Sequence, residues 1–234
     1  MKLSKYQEIK LLDTGGGNPK LEKTNKRDLG IRVAGLSLYP DDILCPASKA
    51  AGCSETCLAS AGRGVFRPVR EARQRKADYF YDHQEQFLLH LERELFSFES
   101  VCSKAGVLPV VRLNVLSDVC WESLGIIEKF GDVFFLDYTK RVQRLGNTPE
   151  NYRLIFSYSG KPTYRGQVTE ALKHEEPIAV VFRNKMPSRF LGREVVDGDL
   201  SDYENVRAGS VVLGLKAKGS ARYDYSSGFV VDAP

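Results

Sequence analysis

The sequence predicts an α/β protein, a partial or complete (β/α) barrel of mostly parallel strands with a cysteine-bearing loop after the first strand. Five short apolar runs lead to it: Leu108–Leu116, Asp132–Thr139, Tyr152–Ser159, Pro177–Asn184 and Ser210–Gly219. Several are continuously apolar in their first half, as strands covered on both faces are. Polar or helical segments separate them, and such alternation implies βαβ units with right-handed crossovers.

The elements follow in order. The opening stretch is polar, and TGGGNPKLEKTNKR reads as a loop. Lys20, Lys23, Lys26 and Arg27 make residues 1–30 a solvated arm, with an anion site as the alternative. IRVAGLSLYP has strand character and delivers the chain to the cysteine loop. From Arg67 to Phe98 the pattern turns helical, because Phe80, Phe87, Leu88, Leu91 and Leu95 recur at three- and four-residue steps. Gly106 and Pro109 end that region. SDVCWESLGIIEKFG and YRGQVTEALKHEE each read as a short helix between strands. No linker or repeat divides the chain, so residues 31–234 are expected to form one barrel-like core.

Composition bounds the function. The chain has 234 residues, 42% hydrophobic and 27% charged, with a net charge of +4. That is an ordinary globular balance, sufficient for a core without covalent staples. No apolar run approaches the roughly 20 residues of a membrane span. The first residues lack the apolar core of a secretory signal. A cytoplasmic protein is expected, without membrane contact, in a compartment where clustered cysteines mean metal more often than disulfide. The mild charge permits nucleic acid as a partner without requiring it.

Two features carry chemistry. Cys45, Cys53 and Cys57 stand with seven and three residues between them, in CPASKAAGCSETCLASAGRG. Structural zinc wants closer pairs and a fourth ligand, and the histidines, His83, His90 and His174, are distant in sequence. Three thiolates suit a four-iron cluster with one iron left open; zinc and no metal remain the alternatives. Cys102 and Trp121 read as core residues, and Cys120 as the better site candidate of the remaining cysteines. The second feature is the polarity of the strand ends. Arg112, Asn114, Ser117 and Asp118 close the first apolar run. Tyr138 and Lys140 follow the second, Ser157 the third, Arg183 the fourth, and Lys216 and Lys218 the fifth, with Arg222 and Asp224 beyond. Parallel strands would gather these side chains at one C-terminal rim, where α/β proteins hold ligands.

From about residue 18 to 231 the chain resembles a bacteriophage family, gene product 88. The resemblance rests on the cysteine stretch together with VVRLNVLSDVCWE, FLDYTK, NYRLIFSYS, IAVVF, VVDGDLSD and VVLGLKAKGSARYDYSSGFV. It implies an infected host cell as the setting and supplies no activity. More loosely, RLNVLSD followed by FFLDYTK is similar to radical SAM proteins, which have a cysteine loop ahead of a barrel. The spacing departs from the motif of that family, which has three and two residues between cysteines and an aromatic residue beside the last. Here Thr56 and Leu58 flank it.

The looser likeness implies a 4Fe-4S cluster with S-adenosylmethionine on the open iron. Arg112, Asn114, Ser117, Asp118, Tyr138 and Lys140 would then hold that cofactor, with Asp118 on the amine. Ser157, Arg183, Lys216, Lys218, Arg222 and Asp224 would face an unknown substrate, whether nucleotide, nucleic acid or host protein. Arg63 and Arg67 would offset the cluster's negative charge. The rival expectation is a nucleic-acid-binding or host-interaction protein with a structural metal site and no catalysis. In it, GLKAKGSARYDYSSG would track phosphates and stack bases. In both, local roles compete: Asp118 as the cap of a helix at Trp121, and Asp224 as the partner of Arg222.

Overall fold

The computed structural model describes all residues except 1–5, 7, 16–18, 27–29, 201–204, 206–208 and 234. Its frame is a large, mostly parallel sheet. β1 (Leu12–Asp13) pairs antiparallel with β2 (Ile31–Leu36) at one edge. β3 (Leu108–Arg112), β4 (Phe134–Thr139), β5 (Tyr152–Ser157), β6 (Ile178–Phe182) and β9 (Val212–Lys216) then add in sequence order, all parallel. β8 (Arg193–Asp197) lies parallel to β9, and β7 (Arg189–Phe190) closes a short hairpin on it. The five apolar runs are therefore β3, β4, β5, β6 and β9. The hydrogen-bonded path runs from β1 at one end to β7 at the other, and among the described residues no pairing joins its ends into a complete barrel.

Stepping always to the same side with right-handed crossovers places the connecting segments on one face. That face carries the larger core. Val111, Phe135, Leu154, Phe156, Val180 and Val212 meet Phe80, Phe87, Leu91 and Leu95, which come from α3 (Arg67–Asp82) and α4 (Gln84–Lys104). On the opposite face, Val33, Val110, Leu136, Ile155, Ala179 and Leu213 form a second cluster, covered by Leu21 of α1 (Pro19–Asn25). Both faces are buried, which is why the runs are continuously apolar rather than alternating.

Several local expectations change. The helical stretch after Arg67 is two helices, because His83 takes φ −148° and ψ 58° and breaks the ladder between α3 and α4. The helical region ends at Lys104, ahead of Gly106 and Pro109 as expected, and Pro109 stands inside β3, opposite Arg32. The segment after Asp118 winds only a 3₁₀ turn, Trp121–Leu124, whereas α5 (Arg165–Ala171) forms as expected. TGGGNPKLEKTNKR contains α1, and Tyr6, Leu11, Leu12 and Leu21 of the supposed arm are buried. Of its proposed anion site, Gly16, Gly17, Asn18 and Arg27 lie outside the described residues, as do the side chains of Lys20 and Lys23. Lys26 pairs with Glu22 at 2.7 Å.

β10 (Val230–Val231) decides the shape of the rim. It pairs with Val181 and Phe182 at the end of β6, whereas β5 pairs only with Ile178 and Ala179 at its start. The other edge of β6 is taken by β9, so β10 enters on the β5 side and parts the two strands at their C-terminal ends. The segment leading to β10 is thereby laid over the rim.

The cysteine loop packs against that segment through Gly52, which ends α2 (Ser48–Ala51) with φ +77°. A Cβ there would stand 2.6 Å from Ser227 O. Gly106 has φ +65° but open space around it. Gly106→Ala should therefore cost about 1 kcal/mol, the left-handed penalty alone. Gly52→Ala should cost visibly more, and urea unfolding of the two variants checks the difference.

Candidate functional site

The C-terminal ends of the parallel strands collect most of the residues singled out in the sequence. After β3 the chain turns through Asn114–Asp118, and Asn114 organises that turn. Its Oδ1 accepts from Ser117 Oγ at 2.8 Å, Val119 N at 2.9 Å and Trp121 Nε1 at 3.1 Å, while its Nδ2 donates to Val119 O at 2.9 Å. Asn114 is thus a framework residue, and Trp121, completely buried, is core.

Asp118 ties three segments together. Its backbone N donates to Leu44 O at 2.7 Å, anchoring the cysteine loop. Its carboxylate accepts from the Arg144 guanidinium and, at 2.9 Å, from Lys140 N. The same guanidinium reaches Glu122 at 2.7 and 2.8 Å and Tyr152 Oη at 3.3 Å. Tyr152 in turn donates to Asp137 Oδ2 at 3.1 Å. Asp118 does not cap the Trp121 turn; its oxygens serve this network. Glu122, Tyr152 and Asp137 fall within stretches singled out in the sequence but have no site role there, and Arg144 lies outside them all. RVQR looks like solvated charge until the fold buries Arg144 at 5% exposure.

The three thiols stand over this rim. Cys45 Sγ donates to Leu116 O at 3.5 Å, and Cys53 Sγ to Ser48 O at 3.6 Å. Cys57 Sγ accepts from Ala59 N at 3.5 Å and caps the 3₁₀ turn Leu58–Ser60. Burial pushes all three upward, Cys45 to about 12. Cys45 is raised further by the charges of Asp118, Cys57 and Cys53, so the sulfurs are near enough to feel one another. Lys140 and Arg73 oppose the rise at Cys53 and Cys57 respectively. Neutral thiols of this kind are poor nucleophiles, which disfavours thiolate catalysis. Among the described residues, no three Cys, His, Asp or Glu side chains are grouped as metal ligands stand.

Lys140 lies between the network and the thiols. Its buried ammonium donates to Ser157 O and Tyr158 O at 3.0 Å each and sits 4.2 Å from the centroid of Phe229. Burial lowers it to about 8, partly opposed by Cys53 and Asp118. Tyr164 donates to the main-chain carbonyl of Lys140.

The remaining candidates are spread more widely. Arg112 stacks over the Tyr138 ring at 5.2 Å on the face of the smaller cluster, and Tyr138 Oη accepts from Asn205 Nδ2 at 2.9 Å. Ser157 meets Lys140 through its backbone carbonyl. Lys216 is exposed, and Lys218 pairs with Asp199 at 2.6 Å. Asp224 does not pair with Arg222. Its carboxylate accepts from Ser226 N at 3.2 Å and Ser227 N at 2.9 Å, and Arg222 Nε turns to Ala217 O at 3.3 Å. Arg183 binds Asp232 at 2.8 Å and stacks 3.9 Å from the Tyr225 centroid. Cys120 Sγ accepts from Arg141 Nη2 at 2.8 Å, and Cys102 is core. His83 and His90 share no site: His83 lies edge-on to Tyr6, and His90 Nε2 lies 3.2 Å from Glu94.

Fold and rim together define a class, a mixed α/β protein whose largely parallel sheet carries a three-thiol loop at its C-terminal edge. The sequence profile of the Gene product 88 family matches residues 7–233, and the chain belongs to that family. No curated protein and no solved structure matches it. No helix among the described residues is long and apolar enough to cross a membrane.

Two outcomes follow from the network. Arg144→Met leaves the carboxylates of Asp118 and Glu122 without their cation and should cost about 3–5 kcal/mol in urea unfolding. Asp137, completely buried, is raised from 3.8 to about 7, chiefly by burial. Between those values the native state holds a proton that the unfolded chain has released, so this contribution to stability falls as pH rises from about 4 to about 7. Asp137→Asn should flatten that slope in unfolding curves measured across the range.

Proposed function

We propose that this protein is an iron–sulfur protein of radical-SAM-like kind, with a 4Fe-4S cluster held by Cys45, Cys53 and Cys57 above a partial barrel. The observation that carries the reading is the placement of the three thiols. They come from one loop after the first parallel strand, stand at the C-terminal ends of sequentially ordered strands, and lie within electrostatic reach of one another. Their donor chemistry is soft, as iron–sulfur clusters require. Each thiol is now engaged with backbone, at Leu116 O, Ser48 O and Ala59 N, so loading requires the side chains to turn together. Metal binding would also reverse their raised pKa values, because a coordinated thiol is deprotonated.

The surroundings divide the remaining work. Lys140 keeps a positive charge beside Cys53, where a negatively charged cluster or a cofactor carboxylate is stabilised. Asp118 positions Lys140 through its backbone N and holds the loop through Leu44 O. Phe229 covers the ammonium, and the carbonyls of Ser157 and Tyr158 accept its hydrogen bonds. When bound, such a cluster supplies one electron to the sulfonium of S-adenosylmethionine.

Protein purified without oxygen and reconstituted with iron and sulfide should carry about four of each per chain. Cys45→Ala, Cys53→Ala and Cys57→Ala should each lower that content sharply, and Cys102→Ala should not. Addition of S-adenosylmethionine should perturb the paramagnetic spectrum of the reduced cluster. A protein that carries zinc, or no metal, overturns the reading.

A further inference from the structure

The cysteine loop and the segment over the rim present a surface that the proposed cluster does not use. The 3₁₀ turns Leu58–Ser60 and Gly219–Tyr223 lie against each other, so closely that a Cβ on Gly219 would stand 2.8 Å from Ala61 Cβ. Three aromatic rings face solvent in or shortly after these turns: Tyr223 in the second turn is 79% exposed, Tyr225 two residues on is 75%, and Phe66, six residues after the first turn, is 60%. Isolated exposed apolar groups need no explanation, but a set of rings on adjoining segments does.

One ring is held in place. The Arg183 guanidinium stacks 3.9 Å from the Tyr225 centroid, and the Arg183 side chain is only 6% exposed. Arg183 is fixed by Asp232 at 2.8 Å, whose side chain is itself half-exposed, and by the carbonyl of Asp224. One face of Tyr225 is thus clamped while most of the ring remains open. A platform set in advance loses little entropy when a planar ligand stacks on it.

The two segments are predominantly basic, although Asp232, half-exposed and bound to Arg183, adds an acid beside Tyr225. Residues 58–70 contain Arg63, Arg67 and Arg70 and no acid. Residues 216–226 contain Lys216, Lys218 and Arg222 and a single acid, Asp224, whose buried carboxylate is spent on its own turn. Arg67 and Lys218 have acidic neighbours, Glu71 at 2.7 Å and Asp199 at 2.6 Å, but both pairs are exposed and such pairs exchange readily for another anion.

We infer that this surface binds single-stranded nucleic acid, with bases stacked on Tyr223, Tyr225 and Phe66 and phosphates held by the surrounding cations. Open rings and cations together select a strand whose base faces are free, which a duplex does not offer. The inference rests on the rim being the working face, and it names the substrate class that the cysteine loop would meet.

Fluorescence anisotropy with labelled oligo-dT, oligo-rU and duplex of about 16 residues provides the test. Single strands should bind more tightly than duplex, and the dT and rU arms distinguish DNA from RNA. Affinity should fall steeply between about 50 and 200 mM salt. Tyr223→Ala combined with Tyr225→Ala should weaken binding roughly tenfold or more at an unchanged salt slope. Arg222→Ala should reduce the slope by about 1. Thermal unfolding of each variant confirms that these exposed changes leave the fold intact. Absence of binding at low salt, equal affinity for duplex, or indifference to the tyrosine changes in folded protein overturns the inference. Iron and sulfide are measured on the same preparation. A cluster-bearing protein that binds no oligonucleotide overturns this inference alone, whereas a metal-free protein that binds supports it and removes the cluster.

Discussion

The rim depends on the ion pair between Asp118 and Arg144. Its two partners come from the turn after β3 and the turn after β4, and the Asp118 backbone reaches the cysteine loop as well. Buried charges are tolerable only when each is matched and hydrogen-bonded. Here Glu122, Tyr152 and the Lys140 backbone complete the matching. The position of the Lys140 ammonium, and so the electrostatics around Cys53, follows from that pair.

A second constraint acts from the far end of the chain. β10 enters the sheet beside β6 and fastens residues 219–229 over the strand ends. Gly160 N donates to Gly228 O at 2.7 Å, and Ser227 lies against Gly52. Phe229 is brought under Lys140, and Tyr223 and Tyr225 are left facing outward. The same closure that encloses the buried charge also builds the exposed aromatic and basic surface, so the interior and the exterior of the rim share one cause.

Sequence periodicity made the parallel strands legible because strands buried on both faces must be apolar at nearly every position. Val110–Val111, Phe134–Leu136 and Ile178–Val181 show that requirement residue by residue. The gathering of strand-end residues at one rim followed from parallelism alone. Helix periodicity was less informative. The apolar stripe continues from Phe80 to Phe87, and only the backbone of His83 shows that two helices meet there. WESL has the residues of a helix start, yet the Asn114 network takes the loop into a tight turn instead.

What the sequence by itself determined was the class of fold, the cysteine cluster and the identity of the rim, since each depends on residue type at fixed spacing along the chain. The tertiary structure alone decided which rim residues touch. Asp118 meets Arg144 across 26 positions, and Arg183 meets Tyr225 from a different strand end. A charged side chain reads as solvated until packing removes water from it. Its partner is then chosen by desolvation and geometry, neither of which has a signature in the order of residues.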